Sequence, residues 1–400
     1  MKNKTIQVTL LAESPVAILQ SRASEQFART LDFLPGSTVR GAFAEIFMNK
    51  KGSDDPVFQQ IFVDQNILFS DFLPAYRAAQ PDLLPATAAA CKRHGLKHIG
   101  SLRDRLIDMM LESGTAKTED PPTCDDCSSR LDSIGGRYIS ASEPPVGEQP
   151  NRQLRMHVGI SRHRGTSQQG QLFSYQMLTD KQVERKPSNG DKTITEREPL
   201  RFVGQLEATG DTADQLLSEL EKVVTDREHL SVGKARTRGL GELVIESRNP
   251  ITAASDFAER WDKFNEKIAH PASKETRYFS ITLQSHLILR DALGLPVLDQ
   301  INGAHLGFPD DLKSIKCVAA NLNRVTVSGW NAAQGLPKSD TVALARGSVL
   351  GFKVDSAEEK QAMAYLQQLE SDGLGERRAE GFGRISVCNP FHSQYHRSLL

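Results

Sequence analysis

The sequence predicts an α+β protein in which one unit is written twice. Residues 232–245 (VGKARTRGLGELVI) and 374–387 (LGERRAEGFGRISV) are the same glycine-rich phrase at an offset of 142 residues, so that Gly233 meets Gly375, Arg236 meets Arg378, Gly239 meets Gly381 and Gly241 meets Gly383. The segments before the two phrases also match. Leu216, Leu220, Val223 and Val224 fall on one helical face, as do Ala362, Tyr365, Leu366 and Leu369. Each half opens on an alternating strand, marked by Ile6, Val8 and Leu10 in the first and by Phe279, Ile281 and Leu283 in the second. Four matched positions at so long an offset indicate a duplicated domain, not a short-period repeat.

After the first strand, Leu34-Pro35-Gly36-Ser37 closes a loop, and Ser37 is placed to cap a helix running through residues 39–44. Residues 85–140 read as an insertion with a basic segment, a helix over 102–111 and three of the five cysteines. Residues 141–153 are a loop by composition. Two strands then flank an arginine-bearing tip over 154–178. Residues 181–199 are polar without a period and are expected to form a flexible loop, and a strand returns over 200–208. The first helix, glycine loop and strand end near residue 248; a connecting stretch over 249–276 carries a helix at 257–268. In the second half, Asp310-Asp311 after Pro309 reads as a helix start, strands lie near 325–330 and 348–354, and the last unit ends near 387. This order is a ferredoxin-like (RRM-like) βαββαβ layout used twice, with domains at 1–248 and 277–400.

Composition narrows the class. Four hundred residues hold two or three domains, and 38% hydrophobic with 25% charged residues is ordinary for a globular protein. The net charge of −1 announces no nucleic acid, but cations cluster locally: Arg152, Arg155, Arg162 and Arg164; Lys234, Arg236 and Arg238; Arg377, Arg378 and Arg384. No targeting segment and no apolar run of spanning length are evident, and the five cysteines form no disulfide framework, so a reducing cytoplasm is expected.

Cys124-Asp-Asp-Cys127 has the spacing that lets two thiolates meet one tetrahedral zinc, and Cys91 in CKRHGLKH supplies a third. His98 leaves a wider reach for the fourth position; His94 offers a knuckle-like C-x2-H. A structural zinc in the insertion, with Cys91, His98, Cys124 and Cys127 as ligands, is the expectation. Glycines flanking arginine suit a backbone that approaches phosphate closely, with Arg236 and Arg378 as bidentate donors. Aromatics are sparse at 6%, so phosphate and shape contacts are expected to outweigh stacking. His157 and His163 flank the arginine tip, where contact with phosphate or solvent is favoured over general-base chemistry. No Ser/His/Asp arrangement, Walker loop or paired-carboxylate metal motif is visible.

The duplicated h-G-x-x-R-x-x-G-h-G loops resemble the signature of the RAMP superfamily of CRISPR proteins, which carry tandem ferredoxin-like domains with a glycine-rich loop in each. LPGSTVRGAFA at 34–44 resembles the opening helix of many such subunits. GISRHRGTSQQGQLFSYQML at 159–178 and VSGWNAAQGLPKSDTVALARGSVLGFKV at 327–354, with the cysteine insertion, resemble the large RAMP subunit of type III-D effector complexes. The resemblance implies a non-catalytic subunit that binds the repeat-derived handle of the crRNA and caps the complex in antiviral defence. Its partners would be backbone RAMP subunits and the large signature subunit, with no membrane and no small-molecule substrate. Candidate RNA or scaffold contacts are Arg40, Arg162, Arg164, Lys234, Arg236, Gly239, Gly241, Arg378, Gly381 and Gly383; Arg40 is alternatively an interior helix residue. Competing roles are a pre-crRNA processing endoribonuclease, which the absence of histidine from residues 19–48 disfavours, a guide-lining subunit that cleaves target RNA, and a zinc-stabilised scaffold that binds only protein.

Overall fold

The computed structural model describes residues 4–20, 27–76, 81–96, 101–112, 123–140, 145–186, 194–251, 256–268, 275–309, 312–331 and 334–396. Ile6, Val8 and Leu10 point inward along the strand Lys4–Ala12 and are buried. This strand sits inside its sheet. It pairs antiparallel with Arg201–Ala208 on one side and with Glu242–Pro250 on the other. Ile67–Phe69 extends the sheet beyond the former, and His229–Ser231 beyond the latter. The helix Gly36–Lys51 buries Val39, Ala42, Phe43 and Phe47, a helical stripe that meets Leu216, Leu217 and Leu220 of the helix Ala213–Val223 in one core.

The second half repeats the sheet. Ile385–Val387, Thr276–Leu283, Val349–Asp355 and Lys316–Asn321 lie side by side in that order, all antiparallel. Numbered along the chain, the four core strands of both sheets run fourth, first, third, second. Trp261, Phe264, Phe279, Phe352 and Leu366 share the second core. Between its first two strands the described residues hold only the short 3-10 turn Ala304–Leu306. The helix start read at Asp310-Asp311 lies outside the described residues.

The glycine loops are duplicates down to their hydrogen bonds. Val232 N–H donates to Gly241 C=O and Leu374 N–H to Gly383 C=O, each at 2.8 Å. Lys234 N–H donates to Ala17 C=O and Glu376 N–H to Ile288 C=O, at 2.9 and 3.1 Å. Even a strained non-glycine position recurs, with φ 61° at Ala235 and 59° at Arg377.

Three expectations need correction. Ser37 does not cap the first helix, which begins at Gly36 with no side-chain cap of its own; Asp71 Oδ1, from a distant loop, accepts the Gly36 N–H at 3.0 Å. Residues 181–199 are not a loop throughout: Lys181–Lys186 and Ile194–Pro199 form an antiparallel hairpin. Apart from Val183 and Ile194 these strands carry almost only polar residues, so no apolar alternation marks them in the sequence. The insertion's helix is shorter than read, Leu106–Glu112, because Arg103–Asp104 pairs with Ala88–Ala89 as a strand and Asp104 Oδ2 caps Leu106 N–H at 3.1 Å. The helix over 257–268 has the bounds read from sequence.

The insertion packs on the second half. Ala86 N–H donates to Gly347 C=O at 2.7 Å, and Met110 lies against Gly351 of the second sheet. The two halves meet at a buried ion pair, Arg346 to Asp71 at 3.0 Å, with the Arg346 guanidinium 3.6 Å above the Phe33 ring and 3.2 Å from Tyr138 Oη. Burial raises the Asp71 carboxyl, opposed by Arg346 and by the Gly36 N–H.

Candidate nucleic-acid interface

The two glycine loops share a backbone but not a role. The second is engaged inside the protein. Glu380 binds Arg377 at 2.6 Å and Lys338 at 2.7 Å, Arg384 lies 3.5 Å from Glu207, and Arg378 donates to the Asp372 carbonyl at 3.0 Å. Burial pushes the Glu380 carboxyl up, but Arg377 and Lys338 hold it below the usual range. Gly381 has φ 95°, and a Cβ there would lie 2.9 Å from Phe69 O and 3.2 Å from Gly36 Cα in the first half. Its glycine therefore serves close approach of the two halves. A cleft of about 490 Å³ alongside is lined by Arg260, Arg378 and Arg384, but also by Asp82, Glu207, Glu370 and Asp372.

The first loop faces outward. Lys234, Arg236 and Arg238 are exposed, and a Cβ on Gly239 (φ 76°) would meet nothing within 4 Å. Arg236 pairs with Glu45 at 2.9 Å, whereas Lys234 and Arg238 have no ion pair among the described residues. Gly241 and Gly383 lie too close to Val232 O and Leu374 O to carry a side chain, so both serve closure of their own loop.

The hairpin of Arg152–Ile160 and Ser167–Leu178 rises beside this first loop. Tyr175 and Met177 of the hairpin pack with Leu240 of the loop and Ala17. One hairpin face carries Arg155, His157, Phe173 and Tyr175. The His157 ring is stacked between Phe173 and Tyr175, with centroids 5.2 and 4.7 Å away. Burial, Arg238 and Arg155 together lower its pKa. Arg162, His163 and Arg164 stand exposed at the tip, while Arg152 is tied to Asp32. This aromatic stack was not legible in the sequence. Alternation of Phe173 and Tyr175 was its only trace, and the cross-strand partner His157 becomes visible only with the register.

Arg40 is half-buried on its helix. Its guanidinium donates to Phe62 O and lies 5.9 Å from the Phe62 ring, and burial lowers its pKa. A Thr-His-Asp chain that the sequence hid is also present: Thr282 Oγ1 to His392 Nε2 at 2.7 Å and His392 Nδ1 to Asp104 Oδ2 at 2.9 Å. His392 and Asp104 are wholly buried, so this chain ties the insertion to the second sheet and offers no substrate access.

In the insertion, the sulfurs of Cys91, Cys124 and Cys127 lie within 4.8 Å of one another and can hold a metal ion. The donor set is three thiols: Ser129 hydroxyl and amide groups bring the Cys127 thiol down to about 5, whereas burial pushes the Cys124 thiol up, opposed by the amides of Asp126 and Cys127. His98 lies outside the described residues; His94 Nδ1 is 3.9 Å from Cys91 Sγ.

A duplicated four-stranded α+β unit with paired glycine loops defines a RAMP-type protein of the type III CRISPR systems. The chain belongs to the family of CRISPR-associated proteins described as Cas_Cmr3, whose model matches residues 131–390. Among solved structures, a chain of the type III-B Cmr-beta complex bound to cognate target RNA and AMPPnP is 11% identical, with a TM-score of 0.44 over 90% of this chain and 88% of that one. A chain of the same kind of complex bound to cognate target RNA is 12% identical, with a TM-score of 0.42 over 91% and 92%. A chain of a Cas6 product complex is 10% identical, with a TM-score of 0.32 over 52% and 82%. No curated protein matches by sequence. No helix among the described residues is long and apolar enough to cross a membrane.

Proposed function

We propose that this chain is a non-catalytic RNA-binding subunit of a type III CRISPR effector complex that grips the crRNA handle and caps the assembly. The observation that carries this reading is the outward face shared by the first glycine loop and the 152–178 hairpin. There Lys234, Arg238, Arg155, Arg162 and Arg164 stand without ion pairs among the described residues, next to the Tyr175–His157–Phe173 stack. Single-stranded RNA is held by such a combination: cations for phosphates and ring planes for unstacked bases. The two halves are read as ferredoxin-like units from their shared strand order, and the subtype as III-D from the likeness of segments 159–178 and 327–354. The protein is placed in the cytoplasm, and the metal at the three thiols is read as zinc.

Partners dock on other surfaces of the same hairpin. Its second face exposes Leu154, Met156, Val158 and Leu172, each at least half exposed, an apolar patch suited to a neighbouring backbone subunit or to the large signature subunit. RNA cleavage needs a base within reach of a 2′-hydroxyl and an acid for the leaving oxygen. His157 is sandwiched between rings, which favours a stacking role. The test incubates purified chain with repeat RNA. Stable binding without cleavage is expected, and Arg238→Ala should weaken it by ~1–3 kcal/mol with a shallower salt dependence. Site-specific cleavage lost in His157→Ala or His163→Ala would instead promote the processing nuclease.

A further inference from the structure

Three thiols leave one corner of a tetrahedral site to be filled, and the backbone indicates which residue fills it. Cys91-Lys92-Arg93-His94-Gly95 and Cys124-Asp125-Asp126-Cys127-Ser128 are turns of the same build. In each, the N–H of the fifth residue donates to the C=O of the first, Gly95 to Cys91 at 2.7 Å and Ser128 to Cys124 at 2.8 Å. In each, the fifth residue is left-handed, with φ 57° at Gly95 and 55° at Ser128. Two turns of one build present their first and fourth side chains alike, which makes His94 the counterpart of Cys127. The turns are joined at their edges, by Lys92 N–H to Arg130 C=O at 3.1 Å and by pairing of Cys91 with Leu131.

The sulfur spacing agrees with a metal, while the His94 ring must turn further toward the thiols to close the tetrahedron, because the ligand atoms lying within 4.8 Å of one another are the three sulfurs alone. Zinc bonds of about 2.3 Å to sulfur and about 2.0 Å to nitrogen give tetrahedron edges of about 3.8 Å between sulfurs and about 3.5 Å between sulfur and nitrogen. The Cys91–Cys127 sulfurs are 3.5 Å apart, and His94 Nδ1 is 3.9 Å from Cys91 Sγ.

We propose that His94 is the fourth ligand of a Cys3His zinc site built from these two facing turns, and that the site clamps the insertion onto the second half. This rests on the zinc reading above. The strand Ala88–Cys91 that ends in the first turn pairs with Arg103–Asp104 and with Leu131–Ser133. Asp104 in turn holds buried His392 and donates its N–H to Tyr395 C=O at 3.0 Å. Closing the metal site therefore fixes strands whose far ends anchor the C-terminal helix Pro390–Gln394.

The experiment measures zinc in the full-length chain and in three variants. About one zinc per chain is expected in the unaltered protein under this one-site reading. His94→Ala should lose most of it and His98→Ala should keep it. His94→Cys should retain metal, with its cobalt-substituted spectrum shifted to that of four thiolates. Zinc kept by His94→Ala but lost from His98→Ala overturns the assignment of His94 and leaves the zinc reading intact. No zinc in the unaltered chain overturns the zinc reading itself. Chelation followed by hydrogen exchange tests the clamp: faster exchange at 88–91, 131–133 and 390–394 is expected, and unchanged exchange after zinc removal overturns it.

Discussion

At the scale of single residues, the same side-chain type takes opposite roles according to its surroundings. Arg40 and Arg238 are both arginines of the glycine-loop neighbourhood, yet one hydrogen-bonds an interior carbonyl and the other faces solvent. Arg40→Ala should therefore cost about 1–3 kcal/mol of stability, read in a denaturant midpoint, and leave RNA affinity unchanged. His286 gives a pH dependence. It is buried, its Nδ1 accepts the Arg346 N–H at 3.0 Å, and burial followed by Arg346 brings its pKa down to about 3. The unfolded chain takes up this proton near pH 6.5 and the folded chain does not, so the stabilisation is complete above pH 6.5 and is lost as the pH falls toward 3. Between pH 6.5 and 5 one such group removes about 2 kcal/mol. His286→Asn, which keeps an acceptor, should flatten the pH dependence of Tm in that window; an unaltered slope would show that His286 does not titrate so low.

At the scale of elements, duplicated loops have diverged by context. Gly239 and Gly381 are equivalent in sequence and both have positive φ, but only Gly381 has backbone from the other half against it. Gly239→Ala should cost only the backbone strain, about 1–2 kcal/mol. Gly381→Ala adds a clash with Phe69 O and Gly36 and should loosen the joint between halves, read as a larger fall in Tm and faster exchange at 36–39. Equal costs at the two positions would contradict the close packing at Gly381. The 152–178 hairpin is the element whose two faces are read as binding different partners. Phe173→Ala should weaken RNA binding by roughly 1–3 kcal/mol. Met156→Lys should leave RNA binding intact and reduce incorporation into the effector complex.

At the scale of the whole molecule, the joint between halves is ionic and aromatic. Arg346 bridges Asp71, Tyr138 and Phe33, which belong to the first half and to the insertion. Arg346→Ala would leave a buried Asp71 carboxylate without its cation, a loss of roughly 3–5 kcal/mol measurable as a fall in unfolding midpoint. Asp71→Asn, which removes the charge but keeps an acceptor for Gly36 N–H, should cost less. Because the insertion packs on the second half, the joint also depends on chain that is far away in sequence.

What the sequence determined by itself was local and repetitive. The alternation in Lys4–Ala12 and Thr276–Leu283, the helical stripes, the helix Phe257–Ile268 and the doubled glycine phrase follow from period and turn chemistry, which act over a few residues. The gathering of Cys91, Cys124 and Cys127 was also legible, because thiol spacing carries its own meaning. Tertiary structure alone decided which loop faces outward. The two phrases are nearly the same, but in the second Glu380 of the loop itself, Glu207 and the Asp372 carbonyl engage the cations and Lys338 joins Glu380, while the first keeps Lys234 and Arg238 free of ion pairs among the described residues. The helix cap from Asp71, the buried Thr282–His392–Asp104 chain and the Tyr175–His157–Phe173 stack were invisible for the same physical reason. Each joins groups that are distant in sequence or meet only through strand register, and such distances are set by packing.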